Sequence, residues 1–568
     1  MNDIRRTILW VIFGFSMVLL WDKWQLHNGK QATFFPTPST ASAPAAASAS
    51  APASANSSVP VSSAPLPTAA AGAAAVPGGQ PPATPAATRE RVEVTTDVYR
   101  LQFDTEGGTL VRAELLNHRD MADKERNFVL FDESAMRAYM PQSGLIGGSF
   151  PTHKTPMTLV AGPRSLGDSD QELSVRFESA ATGGVKLVKT WTFRRGAYDI
   201  AVRHDVVNTG TDPVAPQLYL QLVRDGNKPP GESSFYSTFT GPAVYTDAKK
   251  YQKIEFSDIE KNKVDIPKDA TNGYVAMVQH YFASAWLLGD GVTRELFTRK
   301  VDNNLYSVGM ITPLGTVEPG ATKTVEARLF AGPQVETTLQ DLAPGLELVK
   351  DYGWLTILAK PLYWLLDQLH KVLGNWGWAI VALVFLLKIA FYWLNAKAYA
   401  SMAKMKAINP KIMEMRERLK DKPQQMQQEM MRIYREEKVN PMGGCFPIMI
   451  QIPVFIALYW VLLSSVEMRN APWIGWIHDL STPDPFFILP LLMTLSTLLQ
   501  TALNPAPPDP LQAKMMWFMP LIFSVMFFFF PAGLVLYWLT NNILSIAQQW
   551  IINTRMGVPP QFNLPKFK

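Results

Sequence analysis

Apolar residues crowd toward the two ends of this 568-residue chain, and a long stretch between them holds no uninterrupted apolar run. The first apolar run, Ile8 to Leu20, follows Arg5 and Arg6. That order suits a signal peptide or an anchor. Trp21, Asp22, Lys23 and Trp24 stand where small residues would mark cleavage, and Ala41-Ser42-Ala43 comes too late. The segment 1–24 therefore reads as an uncleaved anchor, entering from the cytoplasm. Five further runs lie near 376–395, 444–466, 486–503, 515–530 and 534–552. Each is close to the ~20 residues that cross a bilayer core. Before them, Trp354, Leu355, Leu358, Leu362, Leu365, Leu366, Leu369 and Val372 recur at helical spacing, opposite Lys360, Asp367, His370 and Lys371. The segment 351–373 predicts an amphipathic helix, lying on a membrane surface or packing on the preceding domain.

The period changes between residues 90 and 345. Val92, Val94, Tyr99, Leu101 and Phe103 are spaced as in strands, with Gly107-Gly108 as a turn. Val185, Leu187, Lys189, Trp191 and Phe193 alternate in a second region; Ala201, Arg203, Asp205 and Val207 do so in a third, closed by Asn208-Thr209-Gly210. Short alternating runs between turn signals predict a large antiparallel β-sandwich.

Composition separates the two parts. Residues 36–88 are almost wholly Ala, Pro, Ser, Thr and Gly. Such a segment cannot bury enough apolar surface to offset its ordering entropy, so 25–89 reads as a disordered tether. The net charge of +5 matters less than its placement. The stretch 396–443 holds eleven Lys or Arg against six acids, whereas 467–485 has Arg469 alone as a strong base. Basic loops stay in the cytoplasm. Six spans satisfy this pattern, with both termini and the 396–443 loop cytoplasmic, residues 90–345 periplasmic and 553–568 a cytoplasmic tail. Cys445 is the single cysteine, which excludes an intrachain disulfide. No cofactor motif and no metal-ligand spacing is read among the seven histidines.

The loop 396–443 itself predicts two helices. Met402, Met405, Ile408, Ile412, Met415 and Leu419 form one seam, and Met426, Met430 and Ile433 another, around Asp421-Lys422-Pro423. Paired seams make an antiparallel hairpin. It is either a small structural unit or a mobile arm for partner proteins, hinged at Asn395-Ala396 and Gly443-Gly444. Met405, Lys411, Arg416, Met430 and Arg435 are its candidate partner contacts.

Lys388 interrupts an otherwise apolar span, Val381 to Tyr392. A charge at the centre of a membrane helix costs at least ~2.5 kcal/mol. Either its stem carries the ammonium to the interface, or a water-filled groove faces it. Gln451 in the next span, Thr497 and Gln500 in the one after, and Tyr537, Trp538, Thr540 and Asn541 in the last support the groove. Buried polar groups need water or one another; hydrogen bonding between helices is the plainer use of such residues.

The residues from Trp376 to Gln549 resemble the YidC/Oxa insertase core. Asn440-Pro-Met-Gly-Gly-Cys-Phe-Pro-Ile-Met-Ile-Gln-Ile-Pro-Val-Phe-Ile-Ala-Leu-Tyr carries the resemblance, with Tyr399-Ala-Ser-Met-Ala-Lys-Met-Lys, Trp476-Ile-His-Asp-Leu and Phe530-Pro-Ala-Gly-Leu-Val-Leu-Tyr-Trp. Gly273-Tyr-Val-Ala-Met-Val-Gln-His-Tyr-Phe extends it to the Gram-negative outer domain. The resemblance implies a five-helix core, a supersandwich of galactose-mutarotase-like shape, and a hydrophilic groove open to cytoplasm and lipid. Lys388 takes the place of the arginine typical of that groove, and Tyr537-Trp538 the place of paired tyrosines. Lysine keeps the charge but loses the bidentate fork.

Three functions compete. An insertase and chaperone for inner-membrane proteins would perform no covalent chemistry. Its partners would be nascent membrane proteins, the lipid bilayer and the Sec translocon, with the ribosome and the signal recognition particle receptor as further partners and no specific nucleic acid. The tail offers a ribosome only Arg555, Lys566 and Lys568. A membrane-anchored carbohydrate-binding or sugar-active protein would use the sandwich, with His204 and His280 as isolated candidates. A small-molecule transporter would show internal repeats, and none is visible.

Overall fold

The computed structural model describes residues 89–134, 136–229, 238–419, 422–437, 446–504 and 510–557, with Pro60 and Phe562. The expected anchor 1–24, nearly all of the tether, Cys445 and the Gly443-Gly444 hinge lie outside the described residues. The chain forms two compact units that divide between Lys350 and Asp351.

The first unit is a sandwich of two nine-stranded sheets. In chain order the strands are β1 (Arg91–Thr95), β2 (Tyr99–Asp104), β3 (Thr109–Arg119), β4 (Asn127–Glu133), β5 (Ala138–Ile146), β6 (Met157–Leu159), β7 (Glu172–Ser179), β8 (Val185–Arg194) and β9 (Asp199–Asn208). They continue as β10 (Gln217–Asp225), β11 (Gly241–Thr246), β12 (Lys250–Lys253), β13 (Asp269–Ala270), β14 (Tyr274–Val278), β15 (Phe282–Leu288), β16 (Arg294–Asp302), β17 (Leu305–Pro313) and β18 (Thr322–Pro333). One sheet runs β1-β2-β3-β4-β5-β10-β17-β16-β13, the other β12-β11-β14-β15-β18-β9-β8-β7-β6, with antiparallel neighbours throughout. Two short helices, α1 (Phe256–Glu260) and α2 (Glu336–Leu342), complete the unit.

Inward parity places Tyr99, Leu101 and Phe103 of β2 at 1% exposure or less. Phe103 meets Trp191 of the opposite sheet at 5.2 Å between ring centroids. The same parity in β8 brings a lysine inside with Leu187, Trp191 and Phe193. Lys189 is buried and donates 2.7 Å hydrogen bonds to the carbonyls of Gly107 and Ser143, so its head is satisfied across the sandwich. Burial pushes its ammonium down to about 7. In β9 the alternating set Ala201, Arg203, Asp205 and Val207 faces outward, while Ile200, Val202, His204 and Val206 face in. His204 Nε2 meets Ser143 Oγ at 2.9 Å, and His153 Nδ1 meets the Tyr219 hydroxyl at 2.5 Å. Burial, with Lys189 nearby, lowers both histidines to about 3. Gly107 turns at φ +72°, where a Cβ would strike the His153 carbonyl at 2.2 Å.

The second unit is helical: α3 (Thr356–Leu373), α4 (Trp376–Ala390), α5 (Tyr392–Arg418), α6 (Pro423–Glu436), α7 (Phe446–Ser464), α8 (Ile488–Leu503), α9 (Pro510–Phe527) and α10 (Ala532–Arg555). Gly374 ends α3 in the left-handed conformation, and Asn375 caps α4 by accepting from the Trp378 amide. Leu366 of α3 is buried in the helical core, with Leu355, Leu362, Leu365 and Leu369 packed against it. Ile357, Trp364 and Val372 of the same helix stand exposed.

Among the described residues no single helix is long and apolar enough to cross a membrane; α4 and α5 together are, bent by 68° at their junction. At ~1.5 Å per residue, the 15 residues of α4 span about 22 Å and the 16 of α8 about 24 Å. The expected hinge at Asn395-Ala396 is displaced. Helix α5 runs unbroken through both residues, and the break falls at Phe391. The α5–α6 hairpin closes on Ile408, Ile412 and Met415, with Met405, Leu419, Met426, Met430 and Ile433 packed against them.

Candidate functional site

Lys388 lies two residues from the C-terminal end of α4 and is only 7% exposed. Its Nζ donates to Ser545 Oγ of α10 at 2.7 Å, and that hydroxyl donates to the Asn541 carbonyl at 2.7 Å. Lys388 forms no ion pair among the described residues. A single hydroxyl is a weak counterpart for a buried ammonium, so the positive field reaches the space around it.

That space is a cavity of about 210 Å³ between α4, α7 and α10. Val384, Leu387 and Lys388 line it from α4, Phe391 from the α4–α5 junction, Gln451, Ile452, Val454 and Phe455 from α7, and Tyr537, Trp538 and Asn541 from α10. Helical spacing explains the sets, because residues three or four apart share a face. Phe455 stands 4.2 Å from Trp538 and 5.7 Å from Tyr537 between ring centroids, forming an aromatic wall. At its polar end the cavity adjoins a relay. Gln451 Nε2 donates to Asn395 Oδ1 at 2.6 Å, Asn395 Nδ2 to Gln548 Oε1 at 3.1 Å, and Gln548 Nε2 to the Lys388 carbonyl at 3.1 Å. Four helices are thereby tied around one charged side chain.

Of the residues singled out in the sequence, Lys388, Gln451, Tyr537, Trp538 and Asn541 meet at this cavity. Thr497, Gln500 and Thr540 are not among its lining residues. Thr540 donates to the Leu536 carbonyl of its own helix. Thr497 donates to the Met493 carbonyl and accepts from Asn542, joining α8 to α10. Gln500 is half-buried. Asn395 and Ser545 organise the site although neither lines it. Spacing points to Ser545, one turn beyond Asn541; nothing in the sequence marks Asn395 as the hub.

In the hairpin, Met405 and Met430 are packed into the seam. Lys411 pairs with Glu437 across the two helices at 2.5 Å. Arg416 is half-buried and Arg435 exposed. Among the described residues Met413 and Met431, absent from the candidate set, are the exposed methionines here, at 55% and 48%.

Comparison with known proteins agrees with both units. The family described as "YidC periplasmic domain" matches residues 91–365, and that described as "60Kd inner membrane protein" matches residues 368–558. The two define the class: an inner membrane protein that carries a periplasmic domain. The membrane protein insertase YidC of Ralstonia nicotianae is 58% identical, with 98% of each chain covered. That of Janthinobacterium is 52% identical, covering 98% of this chain and 100% of the relative. The chain belongs to the YidC family of membrane protein insertases. Among solved structures, an active YidC insertase crystal structure with its first transmembrane domain resolved aligns at TM-score 0.38 and 19% identity, covering 80% of this chain and 91% of that one. A putative aldose 1-epimerase from Escherichia coli K12 aligns at TM-score 0.28 and 10% identity, over 43% of this chain and 99% of its own.

Proposed function

We propose that this chain inserts proteins into the bacterial inner membrane and assists their folding, with the Lys388 cavity as the groove that receives the polar flank of the entering chain. One observation carries the reading: a buried lysine without a carboxylate partner on a cavity that is polar at one end and aromatic at the other. The polar flank rests near Lys388, and the apolar segment leaves between the helices into lipid. Transfer of apolar surface drives the step, at ~25 cal/mol per Å². Helices of about 22 to 24 Å thin the bilayer locally and shorten the path. No covalent bond forms or breaks.

The topology belongs to the same proposal. Six spans, both termini and the hairpin in the cytoplasm and the sandwich in the periplasm satisfy the charge asymmetry of 396–443 against 467–485. Association with the Sec translocon, the ribosome and the signal recognition particle receptor is part of the reading as well. Protease added from the periplasmic side is expected to digest the sandwich and tether alone; cleavage within 400–440 overturns the topology. A photo-reactive residue at Gln451 or Asn541 is expected to crosslink to a nascent membrane protein, whereas one at exposed Phe385 labels lipid. Labelling of the nascent chain from Phe385 but not from the cavity contradicts the groove.

A further inference from the structure

We infer that the Lys388 cavity binds an anionic amphiphile between insertion events, its acid head at the Lys388 ammonium and one acyl chain along the wall of Phe455 and Trp538, and that an entering chain displaces it. The inference rests on the proposed groove and names what fills it at rest. Several donors with unused capacity line one space. An ammonium carries three N–H donors. Among the described residues Lys388 uses one of them, on Ser545 Oγ at 2.7 Å. Tyr537 and Asn541 precede Ser545 at four-residue steps, on one face of α10. Among the described residues neither the Tyr537 hydroxyl nor the Asn541 side-chain amide has a hydrogen-bond partner. Both residues line the cavity, and no carboxylate does. A head with several negatively charged oxygens, a carboxylate or a phosphate, satisfies this set through charge-assisted bonds. A neutral head leaves the buried ammonium uncompensated.

The other end of the cavity suits hydrocarbon. Phe455 and Trp538, 4.2 Å apart between ring centroids, form one side, and Val384, Leu387 and Val454 add apolar lining. Ile452 lines the same space yet is 47% exposed, so the cavity opens at the helix surface beside it. An apolar cavity of about 150 Å³ admits benzene. The space here, about 210 Å³, takes an acid head and the first carbons of one chain, and the rest of that chain leaves past Ile452. A bilayer supplies such molecules at high local concentration, and burial of the chain against the rings adds to the attraction of the head. The acidic flank of an inserting protein and the acid head then compete for one ammonium, which makes the first step of insertion an exchange.

The test reads occupancy directly and needs no insertion substrate. The full chain is placed in phosphatidylcholine nanodiscs with a long-chain fatty acid that carries a diazirine on its chain, and the labelled residues are mapped by mass spectrometry. Saturable labelling within 452–455 and at Trp538 is expected. The methyl ester of the same acid keeps the chain and loses the charge. It is expected to label these positions roughly tenfold less, the weight of a charge-assisted bond, while acid and ester label exposed Phe385 alike. Lys388→Met lowers labelling by the acid to the level of the ester, and Lys388→Arg retains it. Equal cavity labelling by acid and ester in the unaltered protein overturns the inference, even where a variant fails to fold. Labelling by the acid that a folded Lys388→Met variant leaves unchanged overturns it as well. Phosphatidylglycerol with the same diazirine chain separates the sources: labelling by it assigns the occupant to the bilayer, and labelling by the fatty acid alone assigns it to free acid. Inorganic phosphate is expected not to displace either; displacement by phosphate makes this a simple anion site and contradicts the amphiphile. Acid-specific labelling in a protein without insertion activity places the failure in the insertase reading, whereas insertion without acid-specific labelling sinks this inference alone.

Discussion

The ammonium of Lys388 and the hydroxyl of Ser545 lie 2.7 Å apart across α4 and α10, and no acid joins them among the described residues. A hydrogen bond to a charged group is worth about 1.5–3 kcal/mol. The pair is expected to couple in a double-mutant cycle of Lys388→Met and Ser545→Ala, by at least about 1 kcal/mol in detergent unfolding. Additive single effects contradict the contact.

Asn395 joins Gln451 to Gln548. Asn395→Leu removes both bonds and leaves two amides short of partners. Destabilisation of about 1–3 kcal/mol follows, read as a lower melting temperature. Gln451→Leu breaks one bond and is expected to cost less.

The sandwich carries a pH dependence of its own. His153 and His204 are held near 3 when folded, against about 6.5 in the unfolded chain. The unfolded histidines then bind more protons below pH 6.5, so their contribution to stability is full above that value and falls as pH drops toward 3. Each histidine contributes up to ~1.4 kcal/mol per pH unit in that window. Calorimetry of the full chain should show the sandwich transition falling on acidification, and His204→Gln should flatten the slope. An unchanged slope rules out His204 as a source.

In the hairpin, Ile412 is 1% exposed between the two helices. Ile412→Ala opens a cavity worth about 2–4 kcal/mol, and proteolysis within 400–437 should quicken. Lys411→Ala, at an exposed ion pair, should change little. Deleting 400–438 is expected to impair insertion while the rest of the core still folds; unaffected insertion makes the hairpin a connector.

How much of this could be read in advance depends on what each residue reveals. A lysine inside an apolar run needs a reason, so Lys388 stands out. Lys189 sits at inward parity among Leu187, Trp191 and Phe193, yet its burial becomes intelligible only with the carbonyls of Gly107 and Ser143 in place. Ala201 to Val207 reveal a strand by alternation, but Arg203 and Asp205 mark its solvent face and His204 its core. Phe391, Ile452 and Phe455 line the cavity unannounced, because an apolar residue looks the same facing lipid or a groove. Thr540 misleads for the opposite reason: a threonine in a helix can satisfy itself on the carbonyl four residues back, with no need of water. Helix ends carry weaker signals still. The bend at Phe391 carries no Pro or Gly, so nothing in the sequence sets it apart from Asn395-Ala396.

In the proposed function Lys388 supplies positive charge to a groove that receives polar flanks. Lys388→Arg is expected to be tolerated, since it retains the charge. Lys388→Glu should be worse than Lys388→Ala, because it repels acidic flanks where the dielectric is low. The most direct test is reconstituted insertion of two substrates that differ only in the acidity of the translocated tail, run on wild type and Lys388→Ala. Lys388→Ala is expected to slow the acidic-tailed substrate by roughly tenfold, the worth of about 1.4 kcal/mol, and the neutral-tailed one much less. Equal rates in all four combinations would contradict it.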